Sequence, residues 1–285
     1  MNVLCTGNKN KPKLSLIINQ LHLLFNSTAH NLYIDDNLRE RVGEESYNFL
    51  NLYRPNNHVD FVVCIGGDGS ILSAVRRMND YQIPIIGIHI GNLGFLNKLH
   101  MDDYIEILKN ILEYDSIVYD NKFLLAAHFE NNENCKETIY ALNEIFVNQG
   151  ELNRLLTLNV NINDKYLNTY RCDGLIISTP LGSTAYSLSA GGPIVAYDVD
   201  CNIITPVSPH ILSSRPIILN DKDIIDVKCP ETCNIMVSSD GQESRIIKNS
   251  SSIVVKKSKV SAKFLKFNNE QSYLEKLRSN IGWHK

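Results

Sequence analysis

The pattern of apolar and polar positions changes character near residue 118. Before that point, short apolar segments alternate with stretches whose apolar residues recur at helical spacing. The run 60–65 is apolar almost throughout, as is typical of a strand buried on both faces. The predicted strands are 2–5, 32–34, 60–65 and 84–89, and the predicted helices are 13–25, 70–78 and 102–112. Such alternation predicts a parallel sheet with helices on both faces.

The second part of the chain has the sequence pattern of a β-rich domain. Its predicted strands are 123–129, 139–147, 155–162, 175–179, 224–228, 234–238 and 252–255. Helical signal is confined to the neighbourhoods of 184–189 and 273–277. We therefore expect an α/β domain at 1–118, with the tail 266–285 packing back on it, and an all-β domain at 119–265.

Composition excludes several classes of protein. The 285 residues carry a formal net charge of −3, so no basic surface for nucleic acid is indicated. No apolar run approaches the roughly 18 residues of a membrane span, and the first residues lack the pattern of a secretion signal. Seven scattered cysteines are typical of a reducing compartment. We expect a cytoplasmic protein without membrane or nucleic-acid partners.

The stretch 64–72, C-I-G-G-D-G-S-I-L, places one carboxylate among glycines at the end of a predicted strand. Gly66, Gly67 and Gly69 let a ligand approach the backbone, and the N–H groups at the start of the next helix favour phosphate. Asp68 is suited to accept a proton from a hydroxyl or to hold a metal, or it caps a tight turn. Neither G-x-x-x-x-G-K-[ST] nor G-x-G-x-x-G is present.

Two further stretches carry candidate ligand-binding residues. The stretch 91–96, G-N-L-G-F-L, is a second glycine turn at the same expected edge, where Phe95 packs either on a base or in the core. In the stretch 141–147, Asn143 and Glu144 interrupt an apolar run. They either bind ribose hydroxyls or a base edge, or lie at a partly exposed strand end.

The stretch 170–194 is rich in glycine and small hydroxyl residues. These offer many short-range hydrogen-bond partners, Tyr186 can stack on a ring, and Arg171 and Asp173 frame the start. The alternative is a solvated serine-rich loop. Asp240-Gly241 is either a hairpin turn or part of a site.

In this order along residues 60–265, these motifs resemble the NAD kinase family. The most specific element is the Thr179-Pro180-x-Gly-x-Thr-Ala-Tyr186 run that follows Asp173-Gly174. The resemblance implies transfer of the γ-phosphoryl group of ATP, or of polyphosphate in some members, to the 2′-hydroxyl of the adenosine ribose of NAD. It also implies an NAD-binding second domain, a site between the domains, Mg²⁺ or another divalent cation with ATP, and a homotetramer or dimer.

The resemblance assigns roles residue by residue. It makes Asp68 the catalytic base and places Asn143 and Glu144 at the ribose hydroxyls. Asp173 falls near the nicotinamide amide, and Arg171 and Asp240 fall at further NAD-site positions. The remaining NAD-binding positions are Gly69, Phe95, Thr184, Ala185, Tyr186 and Ser189. Gly66, Gly67 and Gly69 are the expected ATP contacts, and no residues form a dedicated metal cage.

Two other functions remain open at this stage. A diacylglycerol-type lipid kinase shares the Gly-Gly-Asp-Gly turn, although no membrane-binding basic or amphipathic segment is evident. A non-catalytic NAD or NADP sensor would use the same pocket residues.

Overall fold

The structure is a computed structural model that describes residues 1–43, 47–55, 58–91, 94–113, 117–130, 135–150, 155–211, 213–230, 234–247, 252–267 and 270–282. Asn92 and Leu93 of the second glycine turn lie outside these residues. The chain divides into two compact units, Met1–Lys122 with Ala262–Lys285, and Phe123–Ser261. Residues 119–122 and 262–265, which we expected in the second domain, thus belong to the first unit.

The first unit alternates strands and helices. In chain order it contains β1 (Asn2–Gly7), α1 (Leu14–Asn26), β2 (Asn31–Asp35), a 3₁₀ turn (Asp36–Leu38), α2 (Arg39–Val42), β3 (Asn48–Leu50), β4 (Phe61–Gly66), α3 (Asp68–Met78), β5 (Ile85–His89) and α4 (Tyr104–Glu113). The short β3 and α2 have too few apolar residues to give a periodic signal.

The rest of the chain is mostly strand. It contains β6 (Tyr119–Glu130), β7 (Lys136–Ala141), β8 (Glu144–Gln149), β9 (Leu156–Ile162), β10 (Lys165–Cys172), β11 (Gly174–Ser178), a 3₁₀ turn (Leu181–Thr184), α5 (Tyr186–Ser189), β12 (Cys201–Val207), β13 (Ile217–Asn220), β14 (Ile225–Lys228), β15 (Ile235–Ser239), β16 (Glu243–Ile247), β17 (Ser252–Leu265) and α6 (Tyr273–Ile281). The boundaries between the units fall inside β6 and β17, and α6 belongs to the first unit.

The first unit is built on a parallel sheet in the order β17-β5-β4-β1-β2-β3, joined at β17 through Phe264. All six residues of β4 are buried, because helices cover the sheet. Gly66 of β4 lies beside His89 of β5, so both strands end at the same carboxyl edge. The predicted α/β class is confirmed.

The second unit packs two sheets around one apolar core. One sheet has the order β13-β12-β11-β8-β15-β16, and the other contains β10, β9, β14 and β17 with β6 and β7 beside them. Alternate residues of both sheets enter the core, for example Leu158 and Val255 from one and Ile177 and Val237 from the other. The predicted all-β class is confirmed. In the described part of the chain, no helix is long and apolar enough to cross a membrane.

The predicted single strand 139–147 is wrong. β7 ends at Ala141 and pairs with β6, whereas β8 begins at Glu144 and lies in the other sheet, between β11 and β15. The residues between them cannot continue a ladder because the side chain of Asp240 accepts their N–H groups. The helical signal at 184–189 resolves into a 3₁₀ turn and the single-turn α5, separated by Ala185.

Candidate active site

The Gly-Gly-Asp-Gly turn joins β4 to α3 at the carboxyl edge of the parallel sheet. Gly66 has φ +151°, and a Cβ there would lie 2.1 Å from Ser70 Oγ, so glycine is required. Helix α3 begins at Asp68 itself, two residues earlier than predicted. A Cβ on Gly67 would meet nothing within 4 Å, so open space lies beside the turn.

The carboxylate of Asp68 is held by the second glycine turn. Its Oδ2 accepts the backbone N–H of Phe95 at 2.7 Å. Its Oδ1 accepts the N–H groups of Leu96 and Asn97 at 3.2 Å and the Asn97 Nδ2 at 2.8 Å. The two glycine turns thus form one structure, and of the bonds from its described residues three reach Oδ1 and one reaches Oδ2.

The close packing of the second glycine turn against the Asp68 carboxylate requires glycine at position 94. A Cβ on Gly94 would lie 2.2 Å from Asp68 Oδ2 and 2.4 Å from its Cγ, closer than any real contact. The described part of the turn therefore contributes backbone donors to Asp68, while the side chain of Phe95 is half-buried.

A histidine lies in the same neighbourhood. His89 ends β5 and is only 7% exposed. Burial lowers its pKa, while the backbone of Gly91 and the charge of Asp68 act in the opposite direction. Its position at the sheet edge gave no sequence signal, because it reads as the last residue of an apolar strand.

In the second unit, Asp240 organises the corner between β7 and β8. Its carboxylate accepts the N–H groups of Leu142 at 3.0 Å, Asn143 at 2.7 Å and Glu144 at 3.1 Å, and its own N–H donates to the Glu144 carbonyl. Asp240 has φ +50° and is 8% exposed. The Asp-Gly turn is therefore a hairpin turn that also fixes Asn143 and Glu144.

Glu144 is a buried carboxyl group with incomplete hydrogen bonding. It is 6% exposed, accepts from the backbone N–H of Tyr186, and has no partner for Oε2 among the described residues. Burial, and secondarily the charge of Asp240, raises its pKa to about 8. At neutral pH the group is largely protonated and can donate a hydrogen bond as well as accept one.

The segment 179–182, Thr-Pro-x-Gly, packs against the same corner, residues 142–144, from the other side. Thr179 Oγ1 donates to the carbonyl of Leu142 at 2.7 Å, and its N–H donates to that of Asn143 at 2.9 Å. A Cβ on Gly182 would lie 2.1 Å from the Asn143 carbonyl oxygen. The segment is an ordered wall of the corner, and the solvated-loop alternative is wrong.

The hydroxyl residues after Gly182 divide into two groups. Ser183 and Ser187 are fully buried and bond Val195 and Thr205, so they hold the segment in place. Tyr186 is 40% exposed, with its ring 5.2 Å from that of Phe146 in an edge-on arrangement. The other three predicted site residues here are half-buried or exposed: Thr184, Ala185 and Ser189.

Arg171 and Asp173 lie on either side of the last residue of β10. Both side chains are exposed, and the backbones are fixed by bonds from His210 N–H to the Arg171 carbonyl and from Asp173 N–H to the Val207 carbonyl. The structure thus brings Asn143, Glu144 and Asp240 together, and separately joins Asp68 to the Phe95 turn. Among the described residues, the side chains of Arg171 and Asp173 form no hydrogen bond or ion pair with either group.

Sequence reasoning missed Asn97 and Lys276. Asn97 supplies two donors to Asp68, and Lys276 Nζ donates to the carbonyls of Phe95 and Asn97. A polar loop residue and a tail lysine carry no pattern that singles them out.

Comparison with known families identifies the class of protein. The model of the ATP-NAD kinase N-terminal domain matches residues 25–117, and that of the ATP-NAD kinase C-terminal domain matches residues 142–267. The chain is 32% identical over 272 residues to the NAD kinase of Sulfurimonas denitrificans, covering 95% of this chain and 93% of that protein.

Solved structures agree in fold. Yeast NADH kinase complexed with NADH superposes with a TM-score of 0.86 at 24% identity, covering 100% of this chain and 88% of that one. An NAD kinase from Archaeoglobus fulgidus in complex with ATP gives a TM-score of 0.74 at 22% identity, covering 99% and 98%.

These matches, with an acidic residue fixed at a glycine-rich sheet edge, define a phosphotransferase that acts on a nucleotide. More narrowly, the chain belongs to the NAD kinase family. It is an NAD kinase, which transfers a phosphoryl group from ATP to NAD. The lipid-kinase and sensor alternatives are set aside accordingly.

Proposed function

We propose that Asp68 is the general base of the NAD kinase reaction. It takes the proton from the 2′-hydroxyl of the adenosine ribose of NAD. The ribose oxygen then forms a bond to the γ-phosphorus of ATP, the bond from that phosphorus to the bridging oxygen breaks, and ADP leaves. The products are NADP and ADP.

One observation carries this assignment. Four N–H groups from Phe95, Leu96 and Asn97 fix the Asp68 carboxylate, yet three of them act on Oδ1. Oδ2 accepts one bond from them and keeps a direction for a ligand hydroxyl. Phosphoryl transfer depends mainly on such positioning, because the protein supplies little covalent chemistry of its own.

The second unit supplies the proposed ribose-binding groups. Asn143 and Glu144 are held by Asp240 and Thr179, and Glu144 Oε2 lacks a partner among the described residues. We assign Asp240 the role of positioning these two residues. A protonated Glu144 suits a ribose hydroxyl, which both donates and accepts.

The remaining residues proposed to contact NAD are assigned to its adenine and nicotinamide ends. Tyr186 presents a partly exposed ring for stacking, and Asp173 is assigned to the nicotinamide amide. The other residues proposed to contact NAD are Gly69, Phe95, Arg171, Thr184, Ala185 and Ser189.

For ATP, we propose that the backbone of Gly66, Gly67 and Gly69 approaches the phosphates. The open space beside Gly67 and the start of α3 support this placement. Mg²⁺ or another divalent cation would neutralise phosphate charge when bound with ATP. In the described part of the chain, no three His, Cys, Asp or Glu side chains lie close enough to hold a metal ion. We propose that the ligands of this cation come chiefly from the nucleotide.

We also propose a cytoplasmic homotetramer or dimer in which a neighbouring subunit completes the NAD pocket. Scattered thiols support the compartment, and five of the six described cysteines are buried. The family resemblance supports the assembly.

The assignment of Asp68 is tested by Asp68→Asn with ATP, Mg²⁺ and NAD. With its NH₂ in place of Oδ2, the amide loses only the bond from the Phe95 N–H and keeps the three bonds to Oδ1, and no base remains. We expect NADP formation to fall by about 100-fold or more while NAD still binds.

The control for this variant is Asp60→Asn. Asp60 precedes β4 at its opposite end, where it accepts the N–H of Asn2, so wild-type turnover is expected. Undiminished NADP formation by Asp68→Asn would remove the base assignment, whereas loss of NAD binding in titration calorimetry would assign Asp68 to binding instead.

A further inference from the structure

The C-terminal helix α6 has defined ends and is anchored to the first unit. Ser272 and Glu275 form a reciprocal capping box at its start, and Gly282, with φ +76°, ends it. Leu277 is buried at 5% exposure. Just before the helix, Glu270 pairs with Lys98 at 2.7 Å. The helix therefore occupies a fixed position rather than trailing from the domain.

From this helix, Lys276 contacts the turn that holds Asp68. Its Nζ donates to the carbonyl oxygen of Phe95 at 3.2 Å and to that of Asn97 at 3.4 Å. The N–H groups of the same two residues donate to the Asp68 carboxylate at 2.7 and 3.2 Å. The turn thus lies between an anion on its N–H side and a cation on its carbonyl side.

This arrangement strengthens both sets of bonds. A cation on a carbonyl polarises the peptide chain, and hydrogen bonds linked through polarised groups reinforce one another. The peptide unit that joins Phe95 to Leu96 bonds both charges, because its carbonyl accepts from Lys276 and its N–H donates to Asp68. A rotation of this peptide would therefore break bonds to both. Lys276 therefore restrains the orientation of the groups that aim Asp68.

The lysine is kept there at an electrostatic cost. Burial lowers the pKa of Lys276, and Lys98 lowers it further, while Glu270 and Asp68 act in the opposite direction. Burying an ammonium group is unfavourable unless its partners compensate. Met would fill a similar volume without that cost, so stability alone does not explain a lysine at this position.

We propose that Lys276 is a positioning residue for phosphoryl transfer, which fixes the Phe95–Asn97 turn and through it the direction of the Asp68 carboxylate. This inference rests on the proposed role of Asp68 as the base. It makes the C-terminal helix part of the catalytic apparatus, although Lys276 need not touch either substrate.

The test compares three single variants by kcat, KM and thermal unfolding. Lys276→Met removes the donors at similar length, and Lys276→Arg keeps charge and donors. Arg278→Met is the matched control, because Arg278 is an exposed cation on the same helix that interacts with Glu275. For Lys276→Met we expect kcat to fall about 10-fold or more with the KM for NAD within about 2-fold. Lys276→Arg should retain most of the activity, and Arg278→Met all of it.

A double variant separates positioning from general support of the fold. If Lys276 acts through Asp68, then Lys276→Met added to Asp68→Asn lowers the residual rate little further. Equal proportional losses in the two backgrounds, an unchanged kcat in Lys276→Met, or a loss matched by Arg278→Met would overturn the inference. If Lys276→Met fails to fold, Lys276→Leu replaces it, because it too lacks donors, and an unchanged kcat there has the same meaning.

The two hypotheses fail in different ways. Full activity of Asp68→Asn contradicts the base assignment whatever Lys276 does. Loss of activity in Asp68→Asn with full activity in Lys276→Met leaves the base assignment intact and contradicts only the positioning role.

Discussion

At the residue scale, both candidate carboxylates depend on backbone N–H groups supplied by other parts of the chain. Asp68 is held by a turn 27 to 29 residues further along, and Asp240 binds a corner 96 to 98 residues away. The described turn donates one N–H to Asp68 Oδ2 and three to Oδ1, whereas Asp240 accepts three N–H groups with its two oxygens. Similar aspartates in glycine turns therefore have different proposed roles.

Glu144 should make stability depend on pH. Its pKa is raised to about 8 from 4.5, so between these values the folded state binds more protons than the unfolded state. The contribution of protonated Glu144 is fully present below pH 4.5 and is lost as pH rises through about 8. We expect wild-type unfolding free energy, measured by urea denaturation relative to Glu144→Gln, to decline from pH 5 to 8 and then level off. A constant difference over this range would show that Glu144 ionises normally, and a rising one would show that folding lowers its pKa instead.

The sequence could flag Asp68 because a charge among three glycines after an apolar strand is chemically unusual. It could not find Asn97 or Lys276, since each matters only through contacts made after folding. Lys276 reaches residues 179 and 181 positions away in the chain. No local periodicity records such a pairing.

At the element scale, the site is built from close approaches between turns. Gly94 admits the Asp68 carboxylate, and Gly182 admits the Asn143 backbone. In both cases a single methyl group would occupy the space that the neighbouring group fills. The glycines thus act by clearing room between elements that are distant in sequence.

We therefore expect Gly94→Ala to lower kcat by about 100-fold, because its Cβ would lie 2.2 Å from Asp68 Oδ2 and must displace the carboxylate. The matched control is Gly150→Ala, whose Cβ would have its nearest neighbours at 3.7 Å and an ordinary backbone. Steady-state NADP formation and thermal unfolding check both. Equal kcat values in the two variants would mean that the position of the carboxylate does not matter.

Element prediction succeeded where burial imposes a pattern and failed where a side chain interrupts it. The strand 60–65 and helix 13–25 are apolar on the faces that the fold buries, so they correspond to β4 and α1. The run 139–147 looks continuous because Leu142 is apolar. It is broken by Asp240, whose carboxylate replaces the strand partner of residues 142–144.

At the scale of the whole molecule, the order of predicted strands and helices along the chain was sufficient to predict the fold class. An alternating first part followed by a strand-rich second part specifies a parallel sheet and an all-β unit. Strands such as β10 and β16 escaped prediction because polar or mixed residues weaken their period-2 signal. Family membership then supplied the reaction, which the fold alone does not determine.

The proposed assembly is testable in solution. Light scattering with size exclusion should give a mass of two or four times 32.2 kDa. A monomer at micromolar concentration with full NADP-forming activity would contradict the idea that a neighbouring subunit completes the pocket.

A crystal structure of the protein with NAD would measure the distance on which the role of Asp68 depends. We predict that Asp68 Oδ2 lies about 2.6–3.2 Å from the 2′-oxygen of the adenosine ribose, with the bonds from the Phe95–Asn97 turn preserved. A ribose bound out of reach of Asp68, or an Asp68 carboxylate directed away from it, would contradict the account.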